Sequence, residues 1–107
     1  MVTRADLPPG TQATQATHAA LDFAVAHPDA FRDWHTASNT LVLVAARDED
    51  ALRHLCGAAS VAGHRHTRFH EPDLGGALTA VALEPAAYKL LSHLPVALRG
   101  PRGEVKP

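Results

Sequence analysis

The sequence predicts a single α/β domain with a mixed four-stranded sheet and helices on both faces. Its 107 residues are enough for one compact core and too few for two. Strand-like apolar runs alternate along the chain with helix-like apolar spacing, in the order β-α-β-α-β-β-α. Alternation of this kind is typical of domains in which helices cover both faces of a sheet.

The first strand and the first helix are separated by a strong break. Residues 1–7 form a short, mildly β-prone segment, and Pro8-Pro9-Gly10 follows it. Two prolines and a glycine suit neither a helix interior nor a central strand. We expect a helix to begin at Thr11, whose hydroxyl suits a cap, and to end near His27.

One face of this predicted helix carries the polar side chains Gln15 and His18, three residues apart. A helix presents residues at that spacing on the same side. A lone histidine is most often a surface or half-buried residue, so His18 alone does not indicate a site.

The middle of the chain predicts a buried strand followed by a helix. Pro28-Asp29 ends the first helix, and residues 30–38 are expected to form a connector. The continuous apolar run Leu41–Ala46 suits a central strand that is buried on both faces. Asp48 then suits a helix start, and Gly63 suits its end.

The last section predicts a hairpin that contains an acidic loop. Residues 64–70 alternate polar side chains and are expected to form a strand at an edge of the sheet or beside a site, and residues 78–83 form the next strand. Between them lie two carboxylates, Glu71 and Asp73, and the pair Gly75-Gly76. Such a loop is an ordinary turn in many proteins, but loops on a rigid sheet also carry chemistry.

A final helix is expected to begin at Pro85 and to run through residues 86–94. The domain is therefore assigned to residues 1–98, and residues 99–107 are predicted to be a flexible tail.

Composition limits the class of function. The net charge is −1, which gives no global signature of a nucleic-acid-binding protein but leaves room for a local basic patch. Cys56 is the one cysteine, so no internal disulfide can form and a reducing compartment is favoured. No apolar stretch reaches the length of a membrane span, and the N-terminus lacks a signal-peptide pattern. We expect a cytoplasmic domain that does not contact the membrane.

Two N-terminal segments and the acidic loop together resemble the second type of peptidyl-tRNA hydrolase. The segments are Arg4-Ala5-Asp6-Leu7-Pro8-Pro9-Gly10 and Gln15-Ala16-Thr17-His18-Ala19-Ala20. That family has a strand ending Arg-x-Asp-Leu, a turn with glycine and lysine, and a helix reading Ala-Gln-x-Ala-His-Ala. Its Asp-Ala-Gly-x-Thr loop and its last strand, which ends in proline, correspond in order to Glu71-Pro72-Asp73 and residues 79–85.

The resemblance implies hydrolysis of the ester that joins a peptide to the 3′ end of tRNA, without a metal or an organic cofactor. It implies catalytic roles for His18 and for a loop carboxylate, which is Glu71 or Asp73 depending on the alignment. Gln15 and Thr79 match family positions in the helix and in the last strand. Both are assigned to substrate binding, and Thr79 is interpreted as more structural than catalytic. Members of the family are commonly dimers, so a homodimer is one assembly that the resemblance allows.

The tRNA backbone requires cations, and four residues are candidates for phosphate contacts: Arg65, Arg68, Lys89 and Arg99. The chain departs from the family at the turn before the first helix, where Thr11 stands in place of the expected lysine. Thr11 is therefore the candidate substrate contact at that position.

Two alternatives remain open from the residues. The missing lysine favours a degenerate relative that keeps the fold and binds tRNA, a nucleotide or a protein without catalysis. A metal site at His64, His66, His70 and Asp73 is a weaker hypothesis, because zinc needs a convergent tetrahedral set of ligands.

Overall fold

Four strands form one mixed sheet in the computed structural model, which describes residues 1–99. The strands are β1 (Val2–Arg4), β2 (Val44–Ala46), β3 (His66–Glu71) and β4 (Ala77–Leu83). Their spatial order is β2-β1-β4-β3, with β1 and β2 parallel and the other neighbours antiparallel. The predicted fold class is confirmed, and β3 lies at an edge as expected.

Three helices cover the two faces of the sheet: α1 (Pro9–Ala26), α2 (Pro28–Ala37) and α3 (Glu49–Val61). On one face, Phe23 of α1 and Ala30 of α2 pack with Ala80 and Ala82 of β4. On the other face, Leu52 and other residues of α3 pack with Val81. Because side chains alternate along a strand, β4 contributes to both cores.

The first helix begins two residues earlier than the sequence predicted. Pro9 opens α1, and Pro8 stands at the cap without a side-chain hydrogen bond. Proline suits the first helical position because its missing N–H has no partner there in any case. The expected cap at Thr11 is therefore wrong, and Thr11 lies inside the first turn.

The connector predicted for residues 30–38 is also wrong, because Pro28–Ala37 forms α2. Pro28 ends one helix and opens the next, and Asp29 in the first turn of α2 meets the positive end of the helix dipole. Ala30 is buried against the sheet and anchors the new helix.

The predicted central strand at Leu41–Ala46 shortens to Val44–Ala46 and lies at the edge beside β1. Its outer side is covered by the C-terminal segment, through a bridge between Val44 and Val96 and a 3.2 Å hydrogen bond from the Ala97 N–H to the Leu43 carbonyl. Only the second half of the apolar run, residues 44–46, is buried, and Leu41 at its start is exposed. The covering segment supplies the burial that a central position would have given.

The start and the end of α3 follow the prediction. Asp48 Oδ1 accepts a hydrogen bond from the Ala51 N–H at 2.9 Å, and Gly63 has a φ of 77° just after the helix. The predicted final helix is instead a 3₁₀ helix over Pro85–Leu90. It is a short segment, and short segments often adopt this tighter form.

No helix within residues 1–99 is long and apolar enough to cross a membrane. Apart from Arg99, the tail predicted at residues 99–107 lies outside the described residues.

Candidate functional site

The hairpin of β3 and β4 contains a β-bulge close to its loop. Phe69 pairs with Ala80 and His70 pairs with Leu78, so Thr79 is one extra residue on β4. A bulge turns the side chain of the extra residue out of the strand's alternation. Thr79 and Ala80 therefore both face α1, although they are adjacent in the sequence.

The hydroxyl of Thr79 donates a hydrogen bond to Oε1 of Gln15 at 2.6 Å. Nε2 of the same Gln15 donates to Oε1 of Glu71 at 2.9 Å. An ionised carboxylate only accepts, so the amide nitrogen must face Glu71 and the amide oxygen must face Thr79. Gln15 is only 4% exposed, and its neighbours therefore determine its orientation.

Glu71 is the carboxylate at the centre of this arrangement, at the end of β3. Donation from the Gln15 amide, and then from the backbone N–H of Asp73 at 3.2 Å, keeps the pKa of Glu71 below its ordinary value. Desolvation opposes this shift, and the nearby charge of His18 adds to it. Glu71 is therefore held in its ionised form.

The structure brings Glu71, and not Asp73, to Gln15. Asp73 lies exposed in a 3₁₀ turn over Pro72–Leu74. Its backbone N–H donates to the Glu71 carboxylate, which caps the start of that turn. Gly76 closes the loop with a φ of 79°, and its N–H donates to the Glu71 carbonyl at 2.9 Å. The loop geometry thus holds Glu71 by its backbone as well as by its side chain.

The His18 ring stacks on Phe69, with ring centroids 4.5 Å apart and planes within 5° of parallel. Phe69 is on β3 two residues before Glu71, and His18 is on α1 three residues after Gln15. The stack orients an exposed imidazole on the helix face that carries Gln15, near enough to Glu71 for its charge to lower the pKa of that carboxyl. Sequence reasoning did not anticipate Phe69 in this role.

Thr11 lies one helical turn before Gln15 and is half-buried. Residues four apart share a helix face, so Thr11 and Gln15 point to the same side of α1. Thr11 therefore joins the face that carries Gln15 and His18, a placement that the sequence analysis did not state.

Three of the predicted phosphate contacts, Arg65, Arg68 and Lys89, lie away from this arrangement. Arg99 instead follows Leu98, whose N–H donates to Oε1 of Gln12 at 2.9 Å in the first turn of α1. Arg65 precedes β3 and bonds Glu84 through Nε at 2.9 Å, and about 20 Å of strand separates it from Glu71. Arg68 faces α3, where it donates to Ser60 Oγ at 3.2 Å. Lys89 is in the 3₁₀ helix that follows β4, and Arg99 is the last described residue.

Three residues that sequence reasoning missed, from β1 and α3, form hydrogen bonds to the backbone of β4 at the bulge. Arg4 donates to the carbonyl of Leu78 at 3.3 Å, and Glu49 accepts from the N–H of Leu78 at 2.9 Å. Thr3 donates to the carbonyl of Thr79 at 3.0 Å. The Arg-x-Asp-Leu segment was a signal for Arg4, whereas Glu49 was read only as part of a helix start.

Within residues 1–99, no group of three or more His, Cys, Asp or Glu side chains is arranged to hold a metal ion. The alternative zinc site is therefore wrong for this part of the chain. His64 lies before β3 with Nδ1 3.5 Å from Glu84, whereas Asp73 lies beyond the other end of that strand.

A half-open apolar cavity of about 510 Å³ lies where β1 begins and β4 ends, lined by aromatic side chains that include Phe23, Trp34 and Tyr88. The residues that line it include neither Gln15 nor Glu71. The candidate site is therefore the hydrogen-bonded group of Gln15, Glu71 and Thr79 beside the hairpin loop, and not this cavity.

Comparison with known proteins adds one finding. A family model described as peptidyl-tRNA hydrolase PTH2 matches residues 1–99, which includes every described element. No individual curated protein matches the chain.

Proposed function

The chain belongs to the peptidyl-tRNA hydrolase PTH2 family, and on this premise we propose that it hydrolyses the ester bond of peptidyl-tRNA or of N-blocked aminoacyl-tRNA and releases free tRNA. The observation that carries the proposal is the Gln15–Glu71 hydrogen bond, at 2.9 Å, together with the charge of His18 that contributes to the lowered pKa of Glu71. A fixed, ionised carboxylate next to an exposed imidazole is suited to activating a water molecule.

In the proposed reaction, His18 accepts a proton from a water molecule as the water oxygen attacks the ester carbonyl carbon. The negative charge of Glu71 stabilises the imidazolium that forms. When the tetrahedral intermediate collapses, the bond to the ribose oxygen breaks and His18 returns the proton to that oxygen. The products are the acyl carboxylate and a tRNA with a free hydroxyl.

The developing oxyanion needs a hydrogen-bond donor. Gln15 carries a second amide hydrogen besides the one donated to Glu71, and Thr11 presents a hydroxyl on the same helix face. We assign the oxyanion contact to these two side chains. Neither carries the positive charge of the lysine expected in the family.

The test is release of labelled N-acetyl-aminoacyl groups from tRNA by wild type, His18→Ala, Glu71→Gln and Asp73→Asn. Loss of a positioned acid–base group costs about 100-fold or more, so we expect a fall of that size in kcat for His18→Ala and Glu71→Gln. Asp73→Asn should lose much less, because that residue reaches Glu71 through its backbone N–H. Absence of turnover by folded wild type would overturn the proposal.

A second candidate function follows from Thr11. Without the lysine, the same surface binds the acylated end of tRNA but does not stabilise the transition state. Binding of N-acetyl-aminoacyl-tRNA with no release of the acyl group would establish this module, and measurable turnover would exclude it.

The proposed substrate also indicates a cellular location, but it does not indicate an oligomeric state. Peptidyl-tRNA is produced where ribosomes work, so we propose a cytoplasmic location. A homodimer stays a prediction of the family resemblance, and light scattering of the purified protein would test it.

A further inference from the structure

We propose that Glu49 is a positioning residue for the candidate site, because its carboxylate fixes the strand residue from which the Thr79 bulge departs. The proposal rests on the proposed function of the Gln15–Glu71 pair and adds a residue from the opposite face of the sheet. Glu49 touches neither member of that pair and acts through the backbone.

The bulge begins where the ladder to β1 has ended. The pairs between β1 and β4 are Val2 with Val81 and Thr3 with Ala80, so Leu78 and Thr79 lie beyond them. A bulge on its own leaves backbone groups out of the ladder, and such groups need partners when they are buried. Side chains supply those partners here.

Leu78 is held by charged groups at both its backbone atoms. Its N–H donates to Oε2 of Glu49 at 2.9 Å, and its carbonyl accepts from Nη1 of Arg4 at 3.3 Å. Hydrogen bonds to ionised partners are roughly twice as strong as neutral ones. These two contacts therefore restrain the strand immediately before the bulge.

Glu49 is itself well anchored. It lies in the first turn of α3, just after the Asp48 cap, and Arg53 donates to its Oε2 at 2.7 Å. Its side chain is 30% exposed, compared with 54% for Arg53. The Leu78 N–H is the largest cause of the lowered pKa of Glu49, so the carboxylate stays charged.

The consequence reaches the site through one residue. Thr79 follows Leu78 directly, and its hydroxyl is 2.6 Å from Oε1 of Gln15. A hydrogen bond weakens steeply as its distance and angle depart from the optimum. Release of Leu78 would let the bulge relax, and Gln15 would no longer be fixed with its nitrogen toward Glu71.

The pKa of the Glu71 carboxyl, measured by carbon-13 NMR titration of the full-length protein, is a direct readout. In Glu49→Ala we expect this pKa to rise toward its value in Thr79→Val, because both changes free the Gln15 amide. Glu49→Gln keeps an acceptor for the Leu78 N–H and should recover most of the shift. Arg53→Ala is the control, since it removes one of the two arginine partners of Glu49, leaving Arg4 at 3.7 Å and the Leu78 contact in place; the pKa of Glu71 should not move.

A double-mutant cycle separates positioning from general loosening of the fold. If Glu49 acts through Thr79, adding Glu49→Ala to Thr79→Val produces no further shift in the pKa of Glu71. Additive shifts, or an unshifted pKa in Glu49→Ala, would overturn the proposal. Glu49→Met, which keeps the length of the side chain without an acceptor, serves where the alanine variant does not fold.

Kinetics on N-acetyl-aminoacyl-tRNA supply the second readout. Since a displacement of about 1 Å can cost about 100-fold in rate, we expect kcat to fall by about 10- to 100-fold in Glu49→Ala with KM little changed. Wild type without turnover would count against the proposed function, whereas the pKa cycle needs no substrate and would still decide the role of Glu49.

Discussion

At the scale of single residues, Glu71 and Thr79 together fix which way Gln15 points. Its hydroxyl is fully buried and donates to the Gln15 amide oxygen, which leaves the amide nitrogen for Glu71. Without the bulge, a residue at this place in β4 would follow the normal alternation of the strand. A residue that the family resemblance assigns to substrate binding is therefore an orienting residue in the structure.

Thr11 is the residue at which the chain departs from its family, and one substitution tests what that departure costs. Lysine at this position would lie one helical turn before Gln15 and add a cation beside the proposed oxyanion. Because a single oxyanion donor is worth about 100-fold or more, Thr11→Lys should raise kcat/KM for N-acetyl-aminoacyl-tRNA by about tenfold or more.

Thr17→Lys is the control for that substitution. It adds the same charge to α1, but at an exposed position on another side of the helix. Equal gains in both variants would indicate general attraction of tRNA rather than a local role. An unchanged rate in Thr11→Lys would show that the cation is dispensable in this chain.

At the scale of elements, two glycines show how differently the same residue type is used. Gly57 lies within α3, and a Cβ added there would meet no atom within 4 Å. Gly76 has a φ of 79° in the hairpin loop, a conformation that side chains with a Cβ rarely adopt.

Alanine substitutions at these two positions should have opposite effects on stability. Gly57→Ala should raise the free energy of unfolding by about 0.4–1 kcal/mol, because it reduces the freedom of the unfolded chain. Gly76→Ala should lower it by about 1–2 kcal/mol through strain in the left-handed conformation. Urea unfolding monitored by circular dichroism measures both values.

Gly76→Ala should also lower the proposed hydrolytic activity, because the Gly76 N–H holds the carbonyl of Glu71. Gly57→Ala should leave that activity unchanged. A stable Gly76→Ala protein with full activity would show that the loop backbone does not position Glu71.

At the scale of the whole molecule, the candidate site forms where the ends of several strands and helices meet at one end of the sheet. The end of β1 and the start of α3 meet there through Leu78, and α1 joins them through the bonds of Gln15 to Glu71 and Thr79. The hydrogen bonds at this end include several to carboxylates from distant parts of the sequence. Their ionisation therefore contributes to the stability of the fold.

We predict a loss of stability in acid from these carboxylates. Hydrogen bonds from Arg4, the Ala51 N–H and the Leu78 N–H keep the pKa values of Asp6, Asp48 and Glu49, respectively, below the ordinary 3.8 for aspartate and 4.5 for glutamate. The unfolded chain then binds more protons, so the stability is present above the ordinary pKa values and is lost as the pH falls through the lowered native values.

Urea unfolding at a series of pH values tests this. The contribution from these carboxylates should be constant down to about pH 5 and should fall below about pH 4. A free energy of unfolding that stays constant to pH 3 would show that these hydrogen bonds do not stabilise the native state. Glu49→Gln should reduce the dependence on pH in this range.

Sequence reasoning predicted the fold class better than it predicted which of the candidate site residues lie together. The Asp48 cap, the Gly63 stop and the edge position of β3 were all predicted, whereas α2 was missed because Pro28 was read only as a terminator. Arg65 and Arg68, the predicted phosphate contacts on β3, do not lie beside the candidate site. Arg65 bonds Glu84, and Arg68 faces α3.

Caps, turns and helix faces depend on residues a few positions apart, so these local features can be read from the sequence alone. The pair Gln15 and His18 on one face of α1 is an example. The tertiary structure was needed to show which of Glu71 and Asp73 contacts Gln15, since that hydrogen bond joins residues 56 positions apart. Likewise, Glu49 and Leu78 meet across 29 positions, and pairing of strands and packing of α3 bring them together. Contacts over such separations depend on sheet register and bulges, which no local pattern of residue types specifies.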